Sequence, residues 1–211
     1  LLDGDAGLRS LDLMLGVGGS AVYDMSDIFA GNCEPIRAIY PSPICSNVFV
    51  LPAPVSLDQL GTPEDLRRLC AGLARYYEYV LIDCPAGIGR GFRGAVAGAE
   101  RALVVTTPDM VCARDAQIVS RLLEDAHIPS RLIINRLRPA PVLAGKMPDV
   151  DEIIDTAGLQ LLGILPEDEA EAVANANGRP LPSDCNAAAC FGNIARRFLG
   201  EEVPLARLEK M

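Results

Sequence analysis

The chain has 211 residues, half of which are hydrophobic, and it carries a formal net charge of −9. This length and composition suffice to bury one sizeable core, so we expect a single domain over residues 1–211. Because no apolar run approaches the roughly 18 residues of a membrane-spanning helix, and because an acidic surface repels phosphate backbones, the composition disfavours integral membrane proteins and nucleic-acid-binding proteins.

Short apolar runs recur along the chain, and each is closed by a turn or an acidic residue. They cover residues 1–2, 47–51, 79–83, 102–106, 131–135 and 161–165. Their apolar character is nearly continuous, which is typical of parallel strands that are covered on both faces. We therefore predict these runs as strands of a mostly parallel sheet.

Helical patterns fill the segments between these runs. Thr62 and Pro63 are typical of an N-cap and a first helical residue, and apolar residues at helical spacing follow them. Further helices are predicted over 113–125, 149–156, 167–176 and 184–199, and irregular segments over 33–45 and 136–148. The alternation predicts an α/β fold of three layers, a mostly parallel sheet with helices on both faces.

Polar residues follow three of the predicted strands at their carboxyl ends, where parallel sheets bind ligands. Asp3 and Asp5 follow the first run, and such a pair could hold a metal–water cluster or orient a water molecule. Asp83 ends an apolar run before a small-residue loop with Gly87, the arrangement of a Walker B strand. Asn135 ends another run and could pair with one edge of adenine. Taken singly, each has a plainer alternative: a polar turn, a common strand end and an Asx-turn.

The set of motifs is more specific than any one of them. DGDAGLRSLD, LIDCPAGIG, ALVVTTPDMVCARDA, LIINR and LLGILPED occur in this order. Together they resemble the MinD/ParA family of deviant Walker A P-loop ATPases, from residue 1 to about residue 203, in a register closest to the MinD branch. The resemblance implies a P-loop NTPase-like fold, ATP and Mg²⁺ as cofactors, and in-line attack of water on the γ-phosphate. In that branch the activity regulates placement of the division septum.

The resemblance also implies roles for the acidic residues and the glycine. Asp5 matches the switch I aspartate that positions the attacking water, and Asp3 matches its neighbour in the same switch. Asp83 matches the Walker B aspartate that holds Mg²⁺ through water. Gly87 matches the switch II glycine near the phosphates.

Further matches concern the nucleotide and the partners. Asn135 matches the adenine-reading asparagine, Arg136 follows it, and Pro166 lies where the family packs its purine. Arg114 and Asp115 fall on the helix that binds the regulators MinC and MinE, although an exposed charge pair is an equal alternative for them. ATP-dependent homodimerisation is implied as well.

One defining element of the family does not occur in the sequence. Residues 1–211 contain no GxxxxGK[ST] motif, and the family places that loop, with its strand and helix, before the segment that begins here at Leu1. We therefore expect a missing first strand–loop–helix of roughly 35 residues, sheet edges exposed beside it, and an inactive chain when these residues stand alone. The alternatives are a nucleotide-dead relative that acts as a non-enzymatic partner-binding module, and a ParA-type segregation ATPase, which the acidic charge disfavours.

The expected location is the cytoplasm, with a peripheral position at the inner face of the cell membrane implied by the resemblance. Seven cysteines without a CxxC pair indicate reduced thiols rather than a disulfide framework or a zinc site. Leu205 and Leu208 hint at an apolar helix face near the end of the chain, but too few basic or bulky residues accompany them. The sequence therefore gives weak support for membrane binding.

Overall fold

The structure, a computed structural model, describes residues 1–205. Their contacts divide them into two compact units: unit 1 comprises Leu1–Glu100 with Asn177–Pro180, and unit 2 comprises Arg101–Ala176 with the residues from Leu181 onward. Each unit is described by itself, and the single domain expected from the sequence stays a prediction. Within the described residues, no helix is both long enough and apolar enough to cross a membrane.

Unit 1 combines very short strands with helices. Its strands are β1 (Leu2–Asp3), β2 (Tyr40–Pro41), β3 (Phe49–Val50) and β4 (Ile82–Asp83). Its α-helices are α1 (Ser10–Met14), α2 (Met25–Phe29), α3 (Pro63–Leu73) and α4 (Arg90–Gly98), and short 3-10 helices cover Pro35–Arg37 and Leu57–Gln59. β1 and β4 are parallel, whereas β2 and β3 form an antiparallel pair.

The core of unit 1 forms where α3 covers the first strand. Thr62 and Asp65 form a reciprocal capping box at the start of α3, with Pro63 as its first residue, as the sequence predicts. The apolar face of α3 then packs with residues from β1, α2 and the following loops. This core comprises Leu2, Met25, Ala38, Leu51, Leu66, Leu69, Cys70 and Leu73.

Unit 2 is a regular parallel sheet with helices. Its strands are β5 (Ala102–Thr106), β6 (Ser130–Leu137) and β7 (Leu161–Pro166), which hydrogen-bond in that order and run parallel. Its helices are α5 (Met110–Asp125), α6 (Pro139–Leu143), α7 (Val150–Ala157), α8 (Glu169–Ala176) and α9 (Asn186–Phe198). α9 packs on β7 and α5 packs on α7. The parallel strands and their helices confirm the predicted α/β class.

Several predicted elements were wrong in detail. Residues 47–51 are not one parallel strand: Phe49–Val50 pairs with Tyr40–Pro41 inside the segment predicted as irregular, and only Leu51 bridges to Leu2 in parallel. The predicted loop 136–148 contains α6, because a proline is tolerated in the first turn of a helix. Helices α1 and α2 were not predicted, since five residues are too few to show a helical period.

Strands in both units have unpaired edges. In residues 1–205, β4 pairs only with β1, and β5 pairs only with β6. The apolar side chains of Leu103 and Val105 in β5 are 42% and 58% exposed, and that of Leu81 next to β4 is 52% exposed. In the described residues the unpaired edges of β4 and β5 agree with the expectation of exposed sheet edges, and the exposed apolar side chains show that faces of these strands are uncovered too.

Candidate active site

Two aspartates lie side by side where the parallel strands β1 and β4 end. Asp3 is in register with Asp83, and the amide of Gly4 donates a hydrogen bond to the Asp83 carbonyl oxygen at 2.9 Å. A Cβ atom on Gly4 would lie only 2.6 Å from that oxygen, a distance that side-chain carbons do not reach. Glycine at this position therefore lets the two strand ends remain close together.

The Asp3 carboxylate is buried and only partly satisfied. Its Oδ1 atom accepts a hydrogen bond from the Asp5 amide at 3.0 Å, whereas its buried Oδ2 atom has no partner in residues 1–205. Burial raises the pKa of Asp3 above its ordinary value, and the charges of Asp83 and Asp12 raise that pKa further, against backbone hydrogen bonds that lower it. An unpartnered buried carboxylate oxygen is unfavourable, so this position is suited to a positively charged ligand.

Asp5 and Asp83 complete a group of three neighbouring carboxylates. Partial burial of its carboxyl group raises the pKa of Asp83, and the nearby Asp5 carboxylate raises it too, although Asp83 as a residue is exposed. Within the described residues, no three acidic, histidine or cysteine side chains are arranged to ligate a metal ion directly. Mg²⁺ typically takes one or two carboxylates and completes its shell with water and phosphate oxygens. One or two of these carboxylates could therefore contribute to a Mg²⁺ site that water and phosphate oxygens complete.

The loop after β4 contains Gly87 and leads into α4. Gly87 has a φ of +84°, a conformation that glycine adopts without strain, and a side chain there would meet nothing within 4 Å. The neighbouring Cys84 is a poor nucleophile, because partial burial and the Asp83 charge raise the pKa of its thiol to about 11. The loop thus offers accessible backbone rather than a reactive thiol.

In unit 2, Asn135 lies inside β6, two residues before its end, rather than at the end itself. The pairing of β6 with β7 is irregular between Ile134 and Leu137. Asn135 Oδ1 accepts a hydrogen bond from the Arg136 amide at 2.9 Å, and Arg136 has a φ of +58°. This contact is local, as the Asx-turn alternative requires. The side-chain NH₂ group of Asn135 takes no part in it.

Arg136 and Pro166 lie near Asn135 at the same end of that sheet. Pro166 is buried at the end of β7, where it is in register with Leu137. The Arg136 guanidinium lies 3.8 Å from the carboxylate of Glu167, the residue after Pro166. The residues predicted to contact the nucleotide therefore fall into two groups, with the carboxylates in unit 1 and this group in unit 2.

Comparison with known proteins decides the family. A family model described as cellulose biosynthesis protein BcsQ matches residues 56–194. The septum site-determining protein MinD of Bacillus subtilis is 38% identical over 216 aligned positions, which span all of this chain and 81% of that protein. The chain belongs to the MinD family. MinD of Synechocystis is 40% identical and covers 97% of this chain and 79% of its own length, and the BcsQ match reflects the wider ParA/BcsQ-like family.

Solved MinD structures share the fold. MinD of Aquifex aeolicus, solved alone and in a MinC:MinD complex, superposes with TM-scores of 0.87 and 0.85 at 31% and 32% identity, over 97% and 98% of this chain and 85% of the solved chains. MinD of Pyrococcus horikoshii, complexed with Mg-ADP, superposes with a TM-score of 0.81 at 27% identity, over 93% of this chain and 81% of its own. The cell division ATPase MinD of Pyrococcus furiosus superposes with a TM-score of 0.83 at 27% identity. The superposition covers 94% of this chain and 84% of that one.

The residues predicted to bind MinD regulators lie on α5. Arg114 and Asp115 are both exposed, and neither forms an ion pair in residues 1–205. Their positions suit partner binding and a solvated charge pair equally well. Leu208, which belonged to the hint of a terminal amphipathic helix, lies outside the described residues.

Sequence reasoning missed a charged cluster behind the Asp5 loop. The Arg9 guanidinium contacts the carboxylates of Asp12 and Asp24. The Arg9–Asp12 pair could have been suspected from its spacing of three residues inside the DGDAGLRSLD motif. The contact with Asp24 left no signal in the sequence, since it depends on how α2 packs.

Proposed function

We propose that this protein is a MinD-type ATPase, which binds ATP with Mg²⁺ and hydrolyses it in regulating placement of the division septum. The observation that carries the proposal is the buried Asp3 carboxylate, which has an unpartnered oxygen and lies beside Asp5 and Asp83 at the paired ends of β1 and β4. Carboxylates clustered at strand ends suit a magnesium–phosphate centre. Membership of the MinD family supplies the reaction for which this centre is suited.

Each carboxylate has a separate role in the proposal. Asp83 holds Mg²⁺ through water, and the bound ion supplies neutralisation of the charge on the phosphates. Asp5 accepts a hydrogen bond from the attacking water and orients it toward the γ-phosphate. Asp3 accepts the amide hydrogen of Asp5 and so helps to fix the start of the Asp5 loop. Gly87 lets the backbone of its loop approach the phosphates.

The base of the nucleotide is assigned to unit 2. Asn135 offers a donor and an acceptor to adenine, and its oxygen has a second lone pair available besides the bond from the Arg136 amide. Pro166 marks the position at the end of β7 beside which the purine would pack, although its own side chain is buried, and Arg136 lies at the edge of the same group. The position of Asn135 and Pro166 at the same end of the paired strands β6 and β7 supports this assignment.

Partner binding is proposed by analogy with the solved relatives. The Aquifex aeolicus structure is described as a MinC:MinD complex, so a MinC-like regulator is proposed here, with Arg114 and Asp115 of α5 as candidate contacts. Dimerisation on ATP binding, a MinE-like regulator and a cytoplasmic location with peripheral membrane binding complete the proposal. The net charge of −9 argues against the segregation alternative, in which DNA would be the partner.

The test measures phosphate release and oligomeric state on the full product of the gene. MgATP should give phosphate release that stops in EDTA, and light scattering should detect a dimer with ATP but not with ADP. A product that binds no ATP, yet binds a MinC-like regulator, would instead support the non-enzymatic alternative.

A second measurement concerns residues 1–211 on their own. Residues 1–211 contain no GxxxxGK[ST] motif, whose backbone amides and lysine supply most of the phosphate contacts. We therefore expect a fragment limited to these residues to bind MgATP feebly, and micromolar binding by calorimetry would contradict that expectation.

A further inference from the structure

The loop that carries Asp5 is a compact turn formed by residues 5–9, here called the Asp5 turn. The Asp5 amide donates to Asp3 Oδ1 at 3.0 Å, and the Arg9 amide points back to the Asp5 carbonyl oxygen at 3.5 Å. In its middle, the Gly7 amide donates to the Pro54 carbonyl oxygen at 3.1 Å. The longest of these hydrogen bonds closes the turn at Arg9, and a further contact is present at that end.

The Arg9 side chain supplies that contact. Its Nη2 atom lies 3.2 Å from Asp12 Oδ2, and its Nη1 atom lies 3.6 Å from Asp24 Oδ2. The Arg9 side chain is 22% exposed, and the two carboxylate side chains are 5% and 12% exposed. Ion pairs shielded in this way are screened less by salt than surface pairs, and the guanidinium fork can engage two carboxylates at once.

The two carboxylates are held in different ways, Asp24 by hydrogen bonds of its own and Asp12 by burial on α1. Asp24 caps α2 through Oδ1, which accepts a hydrogen bond from the Ser26 amide at 2.8 Å, and this leaves Oδ2 for Arg9. The next residue, Met25, is fully buried, and its amide donates to the Pro52 carbonyl oxygen at 3.2 Å. Asp12 lies on α1 with 3% of its surface exposed. Because α1 follows Arg9 directly in the chain, Asp24 is the partner through which Arg9 attaches the Asp5 turn to an element outside that segment.

The backbone of Arg9 adopts an unfavourable conformation at the end of the turn. Arg9 has a φ of +48°, in the left-handed region, which is unfavourable for a residue with a Cβ atom. Without the two ion pairs, relaxation of Arg9 would release the end of the turn and shift Asp5 with it. We propose that Arg9 is a positioning residue that holds the Asp5 carboxylate in place through its ion pairs with Asp12 and Asp24. The inference rests on the proposed role of Asp5 in hydrolysis.

The experiment uses the full gene product and the variants Arg9→Gln, Arg9→Lys and Asp24→Asn. Arg67→Gln is the matched control, because Arg67 pairs with Glu64 on the exposed surface of α3, where the arginine side chain is 65% exposed. kcat and KM are measured with MgATP. Hydrogen exchange of the amides of residues 5–9 is measured without nucleotide. Asp24→Asn keeps the Oδ1 cap of α2, so it tests the ion pair while the fold is retained.

Arg9→Gln should lower kcat roughly 10- to 100-fold, as expected when a catalytic group is misplaced by about 1 Å, with KM changed less than about twofold. Arg9→Lys should give an intermediate kcat, and Arg67→Gln should match the parent. A double variant that combines Arg9→Gln with Asp24→Asn should have nearly the same kcat as Arg9→Gln alone. The amides of Asp5 and Arg9 should exchange faster in Arg9→Gln. Parental kcat and exchange in Arg9→Gln and Asp24→Asn would overturn the inference. If the parent hydrolyses no ATP while Arg9→Gln still speeds exchange, the proposed function fails and the attachment by Arg9 stands.

Discussion

The pKa of several aspartates is shifted in each unit, and the direction of the shift follows the hydrogen-bond donors around each carboxylate. In unit 2, backbone amides donate to Asp109 and to Asp168 at the starts of helices, and these hydrogen bonds lower the pKa of both carboxyl groups. In unit 1, burial without enough donors raises the pKa of Asp3 and Asp83. Asp65 also lies in unit 1, but hydrogen bonds from Thr62 lower its pKa. The hydrogen-bond donors around a carboxylate therefore decide the direction of the shift, and the unit in which it lies does not. Aspartates with donors serve the fold, and those without them are candidates for chemistry.

The parallel strands also differ in length between the two units. In unit 2 the strands have five to eight residues, so several backbone hydrogen bonds hold each strand in place. In unit 1 the parallel strands β1 and β4 have two residues each, so loops around the carboxylates are held by individual side-chain contacts. Single substitutions should therefore affect catalysis most in unit 1 and stability or base preference most in unit 2.

The largest expected effect tests the carboxylates of unit 1. Asp5→Ala should lower ATP turnover at least roughly 100-fold, because positioning of the attacking water is lost, while ATP binding and ATP-dependent dimerisation remain. Phosphate release and light scattering on the full gene product measure the two properties. Asp58→Ala is the control, since Asp58 is an exposed aspartate of the same unit. Hydrolysis by Asp5→Ala at the parental rate would show that Asp5 does not act on the water.

The next effect tests the base group of unit 2. Guanine reverses donor and acceptor at the edge that Asn135 would contact, and an unsatisfied buried polar group costs about 1–3 kcal/mol, so we expect roughly 10- to 100-fold preference for ATP over GTP. Asn135→Ala should weaken ATP binding and flatten this preference without changing the Mg²⁺ dependence. Parallel ATP and GTP titrations measure it, with Asn193→Ala of α9 as control. If both affinities fall together, Asn135 only forms the turn at Arg136.

The sequence predicted those features that depend on neighbouring residues. Asp3 and Asp83 were placed correctly at strand ends, because an apolar run closed by an aspartate shows directly in the sequence. The Thr62 cap of α3 was predicted for the same reason. The Arg9–Asp24 contact and the bridge between Leu2 and Leu51 were missed, since each joins residues whose proximity depends on tertiary packing.

The base group shows a second limit of sequence reasoning. The apolar run 131–135 predicted a strand that stops at Asn135, yet β6 continues to Leu137 through an irregularity. Arg136 adopts a positive φ there, and the Asn135 side chain bonds to its amide. No residue type in this segment marks that conformation, because it arises from pairing with β7.

A smaller effect tests an aspartate of unit 2 that has its donors. Asp168 accepts hydrogen bonds from the amides of Ala170 at 2.8 Å and Ala187 at 3.0 Å. Asp168→Asn leaves one acceptor oxygen for the two donors, so it should destabilise the protein by about 1–2 kcal/mol in urea unfolding at neutral pH. Because the folded pKa of Asp168 is lowered, its contribution should disappear as the pH falls through that value. Asp184→Asn, an exposed position, is the control, and an equal loss in both variants would contradict the capping role.

The smallest expected effect concerns Asp3. Its substitution should stabilise the protein, whereas substitution of Asp168 should destabilise it. Burial raises the folded pKa of Asp3 above its ordinary value of 3.8, so the folded state binds more protons than the unfolded state between those two values. The contribution of Asp3 to the free energy of unfolding therefore falls as the pH rises through this window. Asp3→Asn removes the charge and keeps an oxygen for the Asp5 amide. It should stabilise the protein at pH 7 without Mg²⁺ by about 1 kcal/mol, or about 2–4 °C in Tm.

The pH and Mg²⁺ dependence separate this electrostatic effect from a change in packing. The stabilisation by Asp3→Asn should shrink as the pH is lowered toward the ordinary carboxyl range, because the Asp3 of the parent then takes up a proton. Mg²⁺ should raise the Tm of the parent more than that of the variant, since only the parent carries the charge at position 3. Thermal unfolding over a pH series, with and without Mg²⁺, measures both. A variant that is less stable than the parent at every pH would mean that the buried oxygen has a donor in solution, and Asp3 would then belong with the structural aspartates of unit 2.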